Sequence, residues 1–376
     1  MQFRSTALAT SLACGLALTG AAEGKMIVGL DVDGSAAYIT EAANGSPITT
    51  IGNPFATGDT PVLWAGVAAY DVDPNSVGDE IILSRQLNQA PGNGGLEVYS
   101  NQPGVGRVGF DLPGYDLAGL EIGQVLTGGT APGLVAVRPD ISQSRPLFEI
   151  WDPQNALSGG GRESFQRNGS TIGATWNPSV VDTGELFTSG AGDEVVVIRD
   201  TTRRVEIFGR TGGTGDNTYT RVSTFNAFND TASVAVAPGV LDNGSRGVVA
   251  VLRDDGRITF YDAAAGVDIS SRIGFTDPTG LRENFIEVAD VIDSNPGLEI
   301  ITSYNDSGSQ GGVVGYQVYD LPDLAVGVDN LLPLTTLATV NTGASLRDID
   351  LITIPEPGSL ALLALGGTLV LSRRRS

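Results

Sequence analysis

The sequence predicts an all-β chain closed into a β-propeller of about six blades. Three observations predict it. One strand pattern recurs with a period near fifty residues. Its runs are rich in β-branched and aromatic residues and are bounded by Gly, Asn and Asp. No amphipathic helix of useful length interrupts them. Composition agrees, since 51 glycines with only 17% charged residues describe many tight turns and few long surface helices.

In each unit an apolar strand leads into a polar turn, a second strand often opens on Gly-Asp-Glu or Gly-Leu-Glu, and a third ends in an aromatic. Anchoring the second strand on Ile27, Ile81, Val135, Val195, Val249 and Ile300 gives steps of 54, 54, 60, 54 and 51 residues. Several strands per unit at this spacing are the signature of propeller blades. Asp255-Gly256 is a tight hairpin signal within one unit. The stretch from Lys25 to Pro54 supplies a second, a third and a fourth strand but no first, whereas Ser345 to Ile352 reads as a lone first strand. Joined, they make one composite blade that closes the ring and removes an open edge. The alternative is one or two β-sandwich domains, which the period disfavours.

The chain is acidic, with a formal charge of −21. Residues 1–22 and 359–376 carry four bases (Arg4, Arg373, Arg374, Arg375) and no acid, so the middle is more acidic still. Such a body is repelled by phosphate backbones, which argues against nucleic acid as a partner. There is no histidine, which removes imidazole metal sites and the usual general base at neutral pH. The one cysteine, Cys14, lies in an N-terminal apolar stretch, so the body has no disulfide, thiolate nucleophile or Cys-based zinc site.

Three segments are expected. Residues 1–22 read as a signal peptide: Arg4, an apolar run from Ala7 to Leu18, then small residues ending at Ala21 and Ala22. A lipoprotein signal at Cys14 fits less well, because Ser11 stands where a large apolar residue is required. Residues 23–353 form the propeller body. Residues 354–376 form a tail with Pro355-Glu356-Pro357, an apolar run from Leu360 to Leu371, and the cluster Arg373, Arg374 and Arg375. A helix from Gly358 to Ser372 spans roughly 22 Å at 1.5 Å per residue, short for a ~30 Å hydrocarbon core but sufficient for a thin membrane with snorkelling arginines. The arginines stay cytoplasmic and the body lies outside.

This tail resembles the PEP-CTERM sorting signal; an ordinary C-terminal membrane anchor is the alternative. The resemblance implies recognition of Pro355-Glu356-Pro357 by an exosortase-like membrane enzyme. It also implies an inner-membrane intermediate held by the C-terminal helix, removal of the tail, and delivery of the body to the outer surface or extracellular matrix.

One turn carries metal-ligand spacing. Asp71, Asp73, Asn75 and Asp79 stand at positions 1, 3, 5 and 9 of a loop between two strands, and alternate oxygen side chains on a flexible loop suit Ca²⁺. The repeats resemble FG-GAP/VCBS-type propeller units, and the resemblance implies Asp71, Asp73, Asn75 and Asp79 as calcium ligands with the Val77 carbonyl at position 7. Ser76 departs from the usual Gly, and the loop from Asp290 to Leu298 keeps position 1 and loses positions 3 and 9. The alternative is that these residues only cap a turn, as is expected for Asp31-Val32-Asp33-Gly34. Trp64, Trp151 and Trp176 are candidates for sugar stacking, with packing between blades as the commoner role.

The function expected is therefore a non-catalytic surface or matrix protein that binds or organises polysaccharide or protein partners. The alternatives are an extracellular carbohydrate-active or phosphoester-cleaving enzyme, which requires convergent carboxylates on the propeller axis, and a calcium-stabilised scaffold.

Overall fold

The computed structural model describes residues 25–352 except 32, 43–44, 54–62, 73–77, 87–94, 101–106, 110–116, 118, 127–131, 138–147, 154–161, 167–180, 188–191, 200–203, 211–218, 228–230, 242–245, 254–257, 271–272, 275–281, 293, 306–313 and 322–331. The chain divides into a body, Gly24–Ile354, and a second unit comprising Met1–Glu23 and Pro355–Ser376. The expected signal peptide and C-terminal membrane helix fall in the second unit, outside the described residues. Among the described residues no helix is long and apolar enough to cross a membrane.

The body is a six-bladed β-propeller of six four-stranded antiparallel sheets. Blade 1 consists of β1 (Met26–Asp31), β2 (Ala36–Glu41), β3 (Pro47–Gly52) and, innermost, β26 (Leu346–Ile352). Blade 2 runs from β4 (Leu63–Tyr70) through β5 (Glu80–Gln86) and β6 (Gly95–Tyr99) to β7 (Arg107–Gly109). Blade 3 has β8 (Gly119–Gly123), β9 (Gly133–Val137), β10 (Phe148–Trp151) and β11 (Arg162–Gln166). Blade 4 has β12 (Val181–Gly184), β13 (Glu194–Arg199), β14 (Arg204–Arg210) and β15 (Tyr219–Asn226). Blade 5 has β16 (Thr231–Leu241), β17 (Arg246–Arg253), β18 (Ile258–Asp262) and β19 (Val267–Asp268). A short parallel pair, β20 (Ile273–Gly274) with β24 (Leu332–Pro333), lies outside the blades. Blade 6 has β21 (Arg282–Ala289), β22 (Leu298–Asn305), β23 (Val314–Leu321) and β25 (Thr335–Asn341).

The inner strands touch in the circular order β26, β4, β8, β12, β16, β21 and back to β26. The composite blade is as expected, with Ile27 paired to Leu351 across β1 and β26. Its turn Asp31–Gly34 also ties it to blade 2. Asp31 Oδ1 accepts the Asp33 N–H, the Gly34 carbonyl accepts the Trp64 N–H at 3.0 Å, and Gly34 sits at φ 64°. A Cβ there would lie 2.2 Å from the Trp64 carbonyl oxygen, so only glycine fits.

Six apolar clusters fill the body, one between each pair of neighbouring blades. Met26, Val28 and Ile39 meet Trp64, Val67 and Ile81 between blades 1 and 2. Ile82 and Val98 meet Leu120 and Leu134 between blades 2 and 3. Val135 and Phe148 meet Val195 and Phe208 between blades 3 and 4. The remaining three interfaces follow the same rule. Each middle strand therefore buries both faces, as in β13, where Val195 and Val197 face blade 3 while Val196 and Ile198 face blade 5. Two-sided burial is the reason these strands read as continuous β-branched runs.

Two-sided burial also shifts one sequence anchor. Ile81, Val195, Val249 and Ile300 pair with the third-strand aromatics Tyr99, Phe208, Tyr261 and Tyr319. In blade 3 the residue paired with Trp151 is Leu134, not Val135. Leu134 faces the preceding blade, as the other anchors do, and Val135 faces the following one. Hydrophobicity alone does not distinguish them, because both are fully buried.

The recurrent Glu that opens the second strand has a common task. Glu80 Oε2 accepts the Val72 N–H at 3.0 Å. Glu194 Oε2 accepts those of Leu186 and Phe187 at 2.8 and 3.3 Å. Glu299 Oε2 accepts those of Val291 and Ile292 at 2.7 and 3.3 Å, and its Oε1 accepts Asn295 Nδ2 at 2.8 Å. Each carboxylate satisfies buried backbone donors where the chain leaves the inner strand. Glu299→Ala leaves these donors without an acceptor, so urea unfolding should show a loss of about 2–4 kcal/mol, with Glu299→Gln losing about half of that.

Candidate functional site

The innermost strand of a blade has one edge paired and the other facing the axis, so its outward N–H groups need acceptors from elsewhere. Register places one inner-strand residue of each blade in an equivalent position, opposite the residue that follows the anchor. These are Asp350 opposite Val28, Ala68 opposite Ile82, Glu121 opposite Val135, Asp182 opposite Val196, Ala235 opposite Ala250, and Glu287 opposite Ile301. Round the ring the order is Asp, Ala, Glu, Asp, Ala, Glu.

The two aspartates cap the next blade. Ala69 N–H donates to Asp350 Oδ2 at 2.7 Å, and Val236 N–H donates to Asp182 Oδ2. Both donors follow the alanine of the pattern. One layer away the relation repeats: Val67 N–H donates to Asp348 Oδ2 at 2.8 Å, and Ile286 N–H to Ser233 Oγ at 3.4 Å.

The two glutamates find no such donor. The blades after them carry Asp182 and Asp350, whose own carboxylates take the Thr183 and Leu351 N–H groups. Among the described residues, Glu121 Oε1 and Glu287 Oε1 accept only the next N–H of their own strands, from Ile122 at 2.9 Å and Val288 at 3.0 Å. One methylene longer than aspartate, they reach inward instead. Carboxylate oxygens of Glu121, Asp182 and Glu287 lie within 4.8 Å of one another. Blades 3 and 6 are opposite in a ring of six, so the point where their side chains meet is the axis. The cluster is a buried set of oxygen ligands that could hold a metal ion.

Electrostatics follow from crowding. Burial pushes Glu121 and Glu287 well above the ordinary carboxylate range; repulsion from Asp182 and Asp350 adds to it at both, from Glu287 at Glu121 and from Asp348 at Glu287. Burial raises Asp182 and Asp348 to about 8 and Asp350 to about 7, against the lowering effect of their backbone hydrogen bonds. Asp79 adds to the repulsion at Asp350, Asp193 to that at Asp182, and Arg347 opposes it at Asp348.

Among the described residues, the three clustered acids include none of the sequence-derived ligands. Asp71 is exposed at the end of β4 and Asp79 is half-buried before β5, while Asp73, Asn75 and Val77 lie outside the described residues. In the corresponding blade 6 loop Lys25 Nζ pairs with Asp290 at 2.7 Å. Trp64 is fully buried, donates Nε1–H to Glu97 Oε2 at 3.1 Å and packs edge-on against Tyr99; Trp151 is also buried, and Trp176 lies outside the described residues. The axial acids escaped sequence reading because each is a single carboxylate in an apolar strand. The signal that finds them is that flanking: Leu120-Glu121-Ile122, Val181-Asp182-Thr183, Ile286-Glu287-Val288 and Ile349-Asp350-Leu351.

Comparison with known proteins adds the address. Residues 353–376 match the family described as the PEP-CTERM protein-sorting motif. The tail is a PEP-CTERM sorting signal. A PEP-CTERM signal marks an exported protein that an exosortase-like enzyme processes and sorts to the cell surface. No curated protein sequence matches the chain. A solved protein of unknown function from Bacteroides caccae is similar in fold, with a TM-score of 0.50 at 10% identity over 89% of this chain and 100% of that one. BBS1N, crystallised in complex with ARL6DN, has a TM-score of 0.46 at 11% identity over 89% of this chain and 90% of its own.

The raised carboxyls give a pH prediction. A group whose folded pKa exceeds its unfolded value contributes full stability below the unfolded value and loses it as pH rises through the folded one. For Asp182 and Asp348 the window runs from 3.8 to about 8. In chelator, the urea midpoint of the wild type should fall from pH 5 to pH 8, and Asp348→Asn should flatten that fall.

Proposed function

We propose that this chain is a non-catalytic surface or matrix protein whose propeller binds or organises extracellular polysaccharide or protein partners. The observation that carries the reading is a PEP-CTERM signal on a propeller body. The signal commits the body to the cell exterior, and a rigid ring with four-stranded blades offers outer edges and turns for contact. The acids support the same reading. A glycosidase separates its two carboxyl groups by about 5 Å or more with a sugar between them, whereas Glu121, Asp182 and Glu287 converge within 4.8 Å on buried inner strands, and Asp182 is only 3% exposed. That crowding suits ring closure and cation binding better than a sugar ring. The Asp71–Asp79 loop is read as a calcium site, through Asp71, Asp73, Asn75, Asp79 and the Val77 carbonyl.

Glycan-array and matrix pull-down assays with the purified chain should show retention without product; steady turnover of a polysaccharide or phosphoester would sink the reading. Replacing Pro355 and Pro357 by alanine should leave the tail uncleaved, seen as a larger band that stays in the membrane fraction. Unchanged release into the medium would show that the motif is not the processing cue.

A further inference from the structure

We propose that the axial carboxylates of Glu121, Asp182 and Glu287 bind one Ca²⁺ ion that clamps blades 3, 4 and 6 across the centre of the ring. The site is distinct from the Asp71 loop and independent of which surface ligand the body takes.

Placement comes first. The Asp-Ala-Glu order occurs twice round the ring, so two glutamates arrive from opposite blades. Asp182 joins them from the blade next to Glu121, and the three oxygens gather within 4.8 Å. Among the described residues this is the one group of three acids whose ligand atoms converge.

A second observation points to a ligand at this point. Glu287 is nine-tenths buried, with a relative exposure of 9%, and its Oε2 receives no hydrogen bond among the described residues. Glu121, half-buried, likewise receives no hydrogen bond at Oε2 among the described residues. The pattern explains why: each glutamate precedes a blade whose own aspartate has taken the N–H on offer. A carboxylate nine-tenths buried with one oxygen that no donor reaches is costly unless something cationic faces it. The basic group that acts on the ring among the described residues is Arg347, which lies against Asp348 and donates Nη1–H toward the Trp64 carbonyl. The neighbouring acids Asp348, Asp350, Asp79 and Asp193 add negative charge.

The donor set selects the ion class. It is all carboxylate, without nitrogen or sulfur, which favours hard cations over zinc or copper. Ca²⁺ accepts irregular oxygen sets completed by water more readily than Mg²⁺ does. Bound there, the ion relieves the mutual repulsion and links three inner strands that share no sheet.

The test uses the purified full-length chain stripped with chelator at constant pH, titrated with calcium chloride and followed by calorimetry and thermal melting. Calcium at about a hundred times its Kd should raise Tm by roughly 5 °C. The rise should persist in Asp71→Ala and vanish when the double variant Glu121→Gln/Glu287→Gln, which keeps side-chain volume and removes charge, is made in that background. A wild-type Tm that calcium leaves unmoved, or a rise that the double variant retains in the Asp71→Ala background, overturns the proposal. Should the double variant misfold, Mn²⁺-soaked wild-type crystals decide: an anomalous peak between Glu121 and Glu287 supports the axial ion, and its absence overturns it. Loss of glycan binding in the surface assays leaves this result untouched, so the two readings fail separately.

Discussion

A ring of sheets has six inner edges, and each must find acceptors for backbone N–H groups that point to a narrow axis. The rest of the body depends on this constraint. Sheet pairing satisfies the two middle strands of each blade on both edges, and the inner strand is left half-paired. Asp348, Asp350, Asp182 and Ser233 supply the missing acceptors, each for the following blade. Acidic side chains are thereby drawn into the most buried part of the molecule, where hydrophobic packing alone would exclude them. Their raised proton affinity is a by-product of a backbone requirement.

The same constraint explains the division of labour between residue types. An aspartate is short enough to stay at the strand edge and cap the neighbouring N–H. An alanine leaves space for that carboxylate. A glutamate overshoots the edge and enters the axis. The six positions use these three lengths in one order, twice, so the ring carries an approximate two-fold repeat within six-fold architecture. Outside the axis, packing is uniform: six apolar clusters, one per interface, with β-branched second strands and aromatic third strands in contact across them.

Much of the fold was legible because it rests on short-range features. Spacing of the second strands, from Ile27 to Ile300, identified all six blades, and the missing first strand before Lys25 identified β26 as the closing strand. The slip at Val135 shows the limit. A strand apolar on both faces carries no alternation, so its register becomes visible only when Leu134 is seen opposite Trp151. The axial cluster was illegible for another reason. Glu121, Asp182 and Glu287 come from strands in three separate blades, and each alone is one acid among 43 Asp and Glu residues. Equivalence of position emerges only from pairing. The second-strand glutamates were visible as a motif, but their purpose as acceptors at the end of the inner strand was not.

The composite blade has one more consequence. Met26 pairs with Ile352, so the first and last strands of the body share a sheet. Every other blade is a local hairpin meander, whereas this one joins strands some three hundred residues apart and carries the largest loop-closure cost in the chain. A polypeptide interrupted anywhere before Leu346 lacks the strand bearing Asp348 and Asp350, and blade 2 then loses two of its edge acceptors. The sorting signal begins at residue 353, directly after that strand. Completeness of the body and possession of an address are therefore coupled by adjacency: a chain truncated before Leu346 lacks both its latch and its label.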